Sequence, residues 1–222
     1  MPIQAVIFDM DGVLVDSEHY WIQSRQEFAQ AHGRTWTPEM QQQVMGRSTA
    51  AWARVMREQL ELDLPAEAIM DGIVGRVIAH YERELPLMPG ALEAVRLAAS
   101  AYRIALASGS PTAIIERVLD LTGLDSVFEH VLYGDDFEHG KPAPDIYLET
   151  ARRLGLLPAE CVGIDDSGNG VRALKAAGMY AIAAPSPGFP LPADILALAD
   201  AHLAALTDFS LDMVRALDSR AG

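Results

Sequence analysis

The run Ala5-Val6-Ile7-Phe8 is apolar at every position and stops at Asp9-Met10-Asp11-Gly12. A short, unbroken apolar stretch reads as a strand buried on both faces, as in a parallel sheet covered by helices. Residues 3–8 are therefore the first predicted strand, and Gly12 permits the sharp turn that ends it. Two carboxylates one residue apart at a strand end repel each other. A divalent metal, a shared proton or a reacting phosphoryl group would relieve that repulsion.

The chain beyond residue 86 has the same logic. Residues 92–100 read as a helix, 103–107 as a strand, and Ser108-Gly109-Ser110-Pro111 as the start of the next helix, with Ser110 as N-cap and Pro111 as first helical residue. Residues 131–133 form a short strand, 144–154 a helix stopped by Gly155, and 161–164 a strand ending in Asp165-Asp166. A helix over 169–177 stops at Gly178, and 179–183 is the last clear strand before an irregular stretch from Pro185 to Pro192. Alternating strands and helices predict an α/β fold with a parallel sheet. Residues 16–86 differ: Trp21, Phe28 and Ala29, then Trp52, Val55, Met56 and Leu60, recur at helical spacing, with breaks at Pro38 and Pro65. The expected organisation is a catalytic core of residues 1–15 and 87–222 and an inserted all-helical unit of residues 16–86.

The chain has 222 residues, half of them hydrophobic, enough for one sizeable core and a small second unit. Its formal charge of −14 disfavours nucleic acid and anionic membrane as partners. No apolar run approaches the ~20 residues of a membrane span. No signal peptide is visible, and the single Cys161 forms no intrachain disulfide, so a cytoplasmic location is expected. Cys161 itself reads as a small buried hydrophobe, and the scattered histidines have no metal-ligand spacing.

Four polar features fall at strand ends, where open parallel sheets bind ligands. Asp9 is placed to attack phosphorus, and Asp11, swung by the Gly12 turn, to act as general acid and then general base. Asp166, with Asp165, would hold a hard cation beside Asp9, and an all-oxygen set of this kind suits Mg²⁺. Ser108 and the amides of Gly109 and Ser110 would cradle phosphoryl oxygens, while Lys141 neutralises charge as the group moves. Taken singly, each feature has a plainer reading: a turn, a helix cap, a surface loop, an acidic first turn. Their joint order along the chain is what points to chemistry.

That ordered set resembles the haloacid dehalogenase superfamily of phosphohydrolases. Asp9-Met10-Asp11-Gly12-Val13-Leu14-Val15-Asp16-Ser17-Glu18 is similar to its first motif, and Ser108 and Lys141 match the second and third. Gly163-Ile164-Asp165-Asp166-Ser167-Gly168-Asn169-Gly170 resembles the fourth. The layout is most similar to the β-phosphoglucomutase-like branch, which includes many sugar-phosphate phosphatases. The resemblance implies a Rossmann-like core, the helical insert as cap domain, Asp9 as nucleophile and Asp11 as acid/base. It also implies Mg²⁺ held by the Asp9 side chain, the Asp11 backbone carbonyl and Asp166, with Asp165 either a ligand or a group behind the ligands. Gly46-Arg47-Ser48 resembles the cap's substrate-facing loop, in which Arg47 would meet a sugar hydroxyl or a second anionic group, unless it is simply a solvated helix end.

The resemblance departs at one place. Where the mutase has a histidine soon after the first motif, this chain has Trp21, with His19 on a different helix face. Trp21 is either a packing anchor of the insert, a wall of the cleft, or both. The expected activity is thus a Mg²⁺-dependent phosphatase acting on a small phosphorylated metabolite, a sugar phosphate, as a monomer. The alternatives are a phosphosugar mutase, a haloacid dehalogenase, and a catalytically silent binding protein.

Overall fold

The structure, a computed structural model, describes residues 2–45, 49–186 and 188–218. In chain order the elements are β1 (Ala5–Phe8), α1 (Glu18–Ala31), α2 (Pro38–Val44), α3 (Thr49–Gln59), α4 (Ala66–Arg83), α5 (Ala91–Ala99), β2 (Arg103–Ser108), α6 (Thr112–Thr122) and β3 (His130–Tyr133). They continue with α7 (Asp145–Arg153), β4 (Cys161–Asp165), α8 (Gly168–Ala176), β5 (Tyr180–Ala183), α9 (Ala193–Leu196), β6 (Ala201–His202) and α10 (Leu211–Asp218).

The six strands form one parallel sheet in the order β3-β2-β1-β4-β5-β6. The chain builds outward from β1 to β3, then crosses back to place β4 on the other side of β1. That crossing makes the ends of β1 and β4 the switch point of the sheet, where parallel folds open a crevice. The expected α/β, Rossmann-like fold is the one observed.

Alternate residues of each strand face opposite layers. Val6, Phe8, Ile104, Leu106, Val162, Ile164 and Ile182 share one core with α5, α6 and α10. Ala5, Ile7, Ala105, Ala107, Cys161, Ala181 and Ala183 face the other, with α7 and α8. Both faces are covered, so the strands carry no polar alternation, which is why they read as continuous apolar runs. The small side chains on the second face let α7 and α8 approach closely.

Between Val15 and Leu87 the chain makes only helices among the described residues, α1 to α4. Pro38 stands at the start of α2, whose cap Thr37 accepts from Met40 N at 3.3 Å, and Pro65 precedes α4. Trp21, Phe28, Trp52, Met56, Ile69, Ile73 and Val77 are buried among these helices, and Trp21 and Trp52 meet edge to face at 6.2 Å. The two connections to the sheet run side by side. Val15 bridges Leu87, Asp16 N donates to Pro86 O at 2.8 Å, and Met88 N donates to Leu14 O at 2.9 Å.

Two expectations change. The sheet has a sixth strand, Ala201–His202, too short and too exposed to leave a periodic signal. The helix after Ser108 starts at Thr112 with Pro111 as its cap residue, so Ser110 is not the N-cap. Its hydroxyl is engaged elsewhere.

Gly90 caps α5 at a left-handed φ of +81°, and an added Cβ would lie 2.6 Å from Thr207 N, a backbone atom that cannot rotate away. Gly90→Ala should therefore lower stability by about 1–3 kcal/mol in urea unfolding. An unchanged midpoint would show that the contact relaxes freely.

Candidate active site

β1 delivers Asp9 one residue past its end, where Asp9 N still donates to Ile164 O of β4 at 3.0 Å. The chain then turns through Gly12, at φ +73°, where any Cβ would collide with the Asp166 carboxylate. The turn is held by Gly12 N to Val15 O at 2.8 Å and Leu14 N to Met10 O at 2.8 Å. It points Asp11 towards the end of β2. There Asp11 Oδ2 accepts from Ser110 Oγ at 2.6 Å and Ser108 Oγ at 3.3 Å, and Oδ1 accepts from Trp21 Nε1 at 3.5 Å.

Lys141 reaches in from the loop before α7. Its ammonium donates to Asp9 Oδ1 at 2.8 Å, Asp165 Oδ2 at 2.8 Å and Ala107 O at 3.3 Å. Those bonds match its three protons to three strands of the sheet. The Tyr147 ring lies 4.9 Å from Nζ, and its hydroxyl donates to Asp165 Oδ2 at 2.7 Å. Asp165 Oδ1 accepts from Ser167 N at 2.9 Å and Ser167 Oγ at 2.8 Å. Each oxygen of this fully buried carboxylate thus has two donors. Asp166, beside it, accepts from Ser186 Oγ at 3.2 Å and lines the cavity.

The electrostatics of these groups differ. Burial raises Asp9 to about 7, with Asp165 and Asp11 adding to the rise and Lys141 opposing it. Burial also raises Asp166 to about 8, reinforced by the charges of Asp165, Asp9 and Asp11. Asp165 moves the other way: burial works to raise it, but Lys141, Tyr147 and Ser167 outweigh burial and hold it below the usual carboxylate range. Burial opposes the charge on Lys141, yet Asp165 and Asp9 keep its pKa well above the ordinary value. Cys161 is buried with its thiol pushed up to about 12, as a packing residue would be.

Asp9, Asp165 and Asp166 each offer an oxygen within 4.8 Å of the others. Among the described residues this is the only such group. An all-carboxylate set, with two members short of positive charge, fits a hard divalent cation such as Mg²⁺.

Asp9, Asp11, Gly109, Lys141 and Asp166 all line one cavity of about 990 Å³, whose far wall is made by α1, α2 and α3. Ser108 is fully buried behind Asp11, and Ser110 N is taken by Ser108 Oγ at 3.1 Å, so the expected pair of free amides is reduced to that of Gly109. Arg47, with Gly46 and Ser48, lies outside the described residues. Tyr147 and Ser186 were invisible to sequence reasoning, because their partners are 18 and 20 residues away and neither belongs to a motif. Trp21 does both things its position allowed: it packs on Trp52 and reaches Asp11.

A family model described as haloacid dehalogenase-like hydrolase matches residues 3–178. The chain belongs to that family of enzymes. It is 31% identical over 219 residues to hexitol phosphatase B of Escherichia coli (strain K12), covering 94% of this chain and 95% of that one. To a probable pseudouridine-5'-phosphatase of Drosophila melanogaster it is 35% identical over 213 residues, covering 91% and 90%. The crystal structure of CbbY from Rhodobacter sphaeroides in complex with phosphate superposes with a TM-score of 0.83 at 25% identity, over 96% of this chain and 99% of that one.

The raised carboxyls carry a pH consequence. A group whose folded pKa lies above its unfolded value favours the fold at low pH and loses that contribution as pH rises through the folded value. Asp9 and Asp166 should therefore make metal-free protein less stable between about pH 4 and pH 8 as pH increases. Thermal melts in chelator should show a falling Tm from pH 5.5 to 8.5, and Mg²⁺ should stabilise more at the alkaline end. A Tm that climbs with pH in chelator would contradict this charge balance.

Proposed function

We propose that this chain is a Mg²⁺-dependent phosphatase that hydrolyses a small phosphorylated metabolite, a sugar or sugar-alcohol phosphate, through an aspartyl-phosphate. The observation that carries the reading is the Lys141 ammonium, 2.8 Å from both Asp9 and Asp165 at the switch point of the sheet, with Asp166 beside them and Asp11 aimed from the turn. The relatives named as phosphatases of a hexitol and of pseudouridine 5'-phosphate support the substrate class.

Asp9 attacks phosphorus, forming an O–P bond as the ester O–P bond breaks. Asp11 gives its proton to the departing alkoxide. Asp11 then takes a proton from water, whose oxygen attacks phosphorus and frees the Asp9 carboxylate and inorganic phosphate. Ser108 and Ser110 fix the Asp11 rotamer for both transfers. Lys141 holds Asp9 in place and offsets charge on the moving phosphoryl group, joined by the Gly109 amide.

Asp9 and Asp166, with the Asp11 carbonyl, would hold Mg²⁺, which shields the nucleophile from phosphate repulsion and orients its oxygens. Asp165, whose lone pairs are occupied, positions Lys141. Residues 16–86 act as the cap, closing over the cleft through the paired connections at Val15 and Leu87, and Arg47 would approach substrate from it. Trp21 favours water over a sugar hydroxyl as acceptor, because an indole N–H donates a hydrogen bond but cannot take up a proton as a histidine can.

The acidic surface and the absence of any described helix able to cross a membrane fit an enzyme that needs neither nucleic acid nor bilayer. We assign it to the cytoplasm, as a monomer.

Asp9→Asn keeps the shape and removes the nucleophile. It should lower phosphate release from a sugar-phosphate panel by at least about 10³-fold with little change in Tm. Substantial residual turnover would exclude the covalent route. Asp166→Ala should shift the Mg²⁺ activation curve to much higher concentration; an unmoved curve removes Asp166 from the ligand set.

A further inference from the structure

The cavity wall opposite the carboxylates carries polar groups that the reaction at phosphorus does not use. Arg25 of α1 is buried, and its guanidinium packs against two indoles that touch each other, Cζ lying 5.2 Å from the Trp21 ring and 5.5 Å from the Trp52 ring. Nη1 donates to Gln41 Oε1 at 3.3 Å, while Nε has no partner. Among the described residues no carboxylate forms an ion pair with it. Gln41 Nε2 in turn donates to Glu18 Oε1 at 2.9 Å.

A buried guanidinium without an ion pair costs free energy, and an apolar side chain of similar shape would pack against the indoles without that cost. Nε has no exposed surface, so the presence of Arg25 makes physical sense if a ligand meets the part of its guanidinium that lines the cavity. Glu18, Arg25 and Gln41 line the same cavity as Asp9 and Asp11. Trp21 touches both sides: its N–H lies 3.5 Å from Asp11 Oδ1 and its ring 5.2 Å from Arg25 Cζ, so Arg25 and the acid/base share one neighbour in one cavity.

We propose that Glu18, Arg25 and Gln41 form a subsite for hydroxyl groups of the leaving alcohol, making the preferred substrate the phosphate of a polyhydroxylated carbon chain or ring. This deepens the phosphatase reading above and rests on it. Hydroxyls both donate and accept, so neighbouring ones satisfy the Arg25 donors and the Glu18 acceptor together. A second anionic group would satisfy Arg25 but be repelled by Glu18 and by Asp16, which lines the same cavity.

The test compares kcat/KM for glucitol 6-phosphate with that for p-nitrophenyl phosphate, which has no hydroxyls, using the full chain with Mg²⁺. In Arg25→Met the ratio should fall about 10- to 100-fold, the size expected for losing charge-assisted hydrogen bonds. Glu18→Gln, which keeps the shape, should move the ratio in the same direction, and it decides the matter if Arg25→Met does not fold. A ratio within about threefold of wild type in the folded variant overturns the subsite. A greater loss for fructose 1,6-bisphosphate than for glucitol 6-phosphate overturns the hydroxyl assignment in favour of a second anion. Wild-type protein that releases phosphate from none of the three compounds overturns the phosphatase reading itself, and the subsite with it.

Discussion

One buried ammonium organises this molecule. Lys141 ties the end of β1, the end of β2 and the end of β4 through Asp9, Ala107 and Asp165. Removing the ammonium from a buried arrangement of this kind typically costs about 3–5 kcal/mol, because the carboxylates are left without compensation. Here the arrangement is lopsided. Among the described residues Lys141 is the one cation paired with any of Asp9, Asp11, Asp165 and Asp166, so ionising all four calls for further positive charge where a metal and a phosphoryl group would meet. Asp165 commits its acceptors to Lys141, Tyr147 and Ser167. Asp9 and Asp166 keep free lone pairs facing the cavity.

A similar convergence occurs at Asp11. Two hydroxyls from the end of β2 and the segment after it, and one indole from α1, meet at its carboxylate. The hydroxyls belong to the sheet, the indole to the inserted helices. Asp11 is therefore the point at which the position of the helices reaches the group proposed to move protons. A rotation of α1 relative to the sheet changes the Trp21 contact and leaves the two hydroxyl contacts in place, since only the indole belongs to α1.

Much of this was legible in the amino-acid sequence, for physical reasons that differ by element. β1, β2, β4 and β5 are covered on both faces, so their residues had to be apolar throughout and the runs stood out. The acidic residues stood out because they interrupt such runs. What stayed hidden depends on side chains meeting across long stretches of chain. Ser110 followed by Pro111 has the composition of a helix start, yet its hydroxyl crosses 99 residues to Asp11. Arg25 belongs to no motif, and only its packing against Trp21 and Trp52 shows that it is enclosed. The two residues of β6 carry too little pattern to register at all.

The paired connections at Val15 and Leu87 have a wider meaning. At that join two backbone hydrogen bonds and one bridge do not depend on which side chains lie in α1 to α4, while side chains add Trp21 on Asp11 and Arg117 of α6 on Glu82 of α4 at 3.0 Å. The backbone part of that join is indifferent to its contents. Side chains of α1 to α4 that do not cross it can change with these bonds intact, while the strand ends go on holding the same carboxylates in the same places.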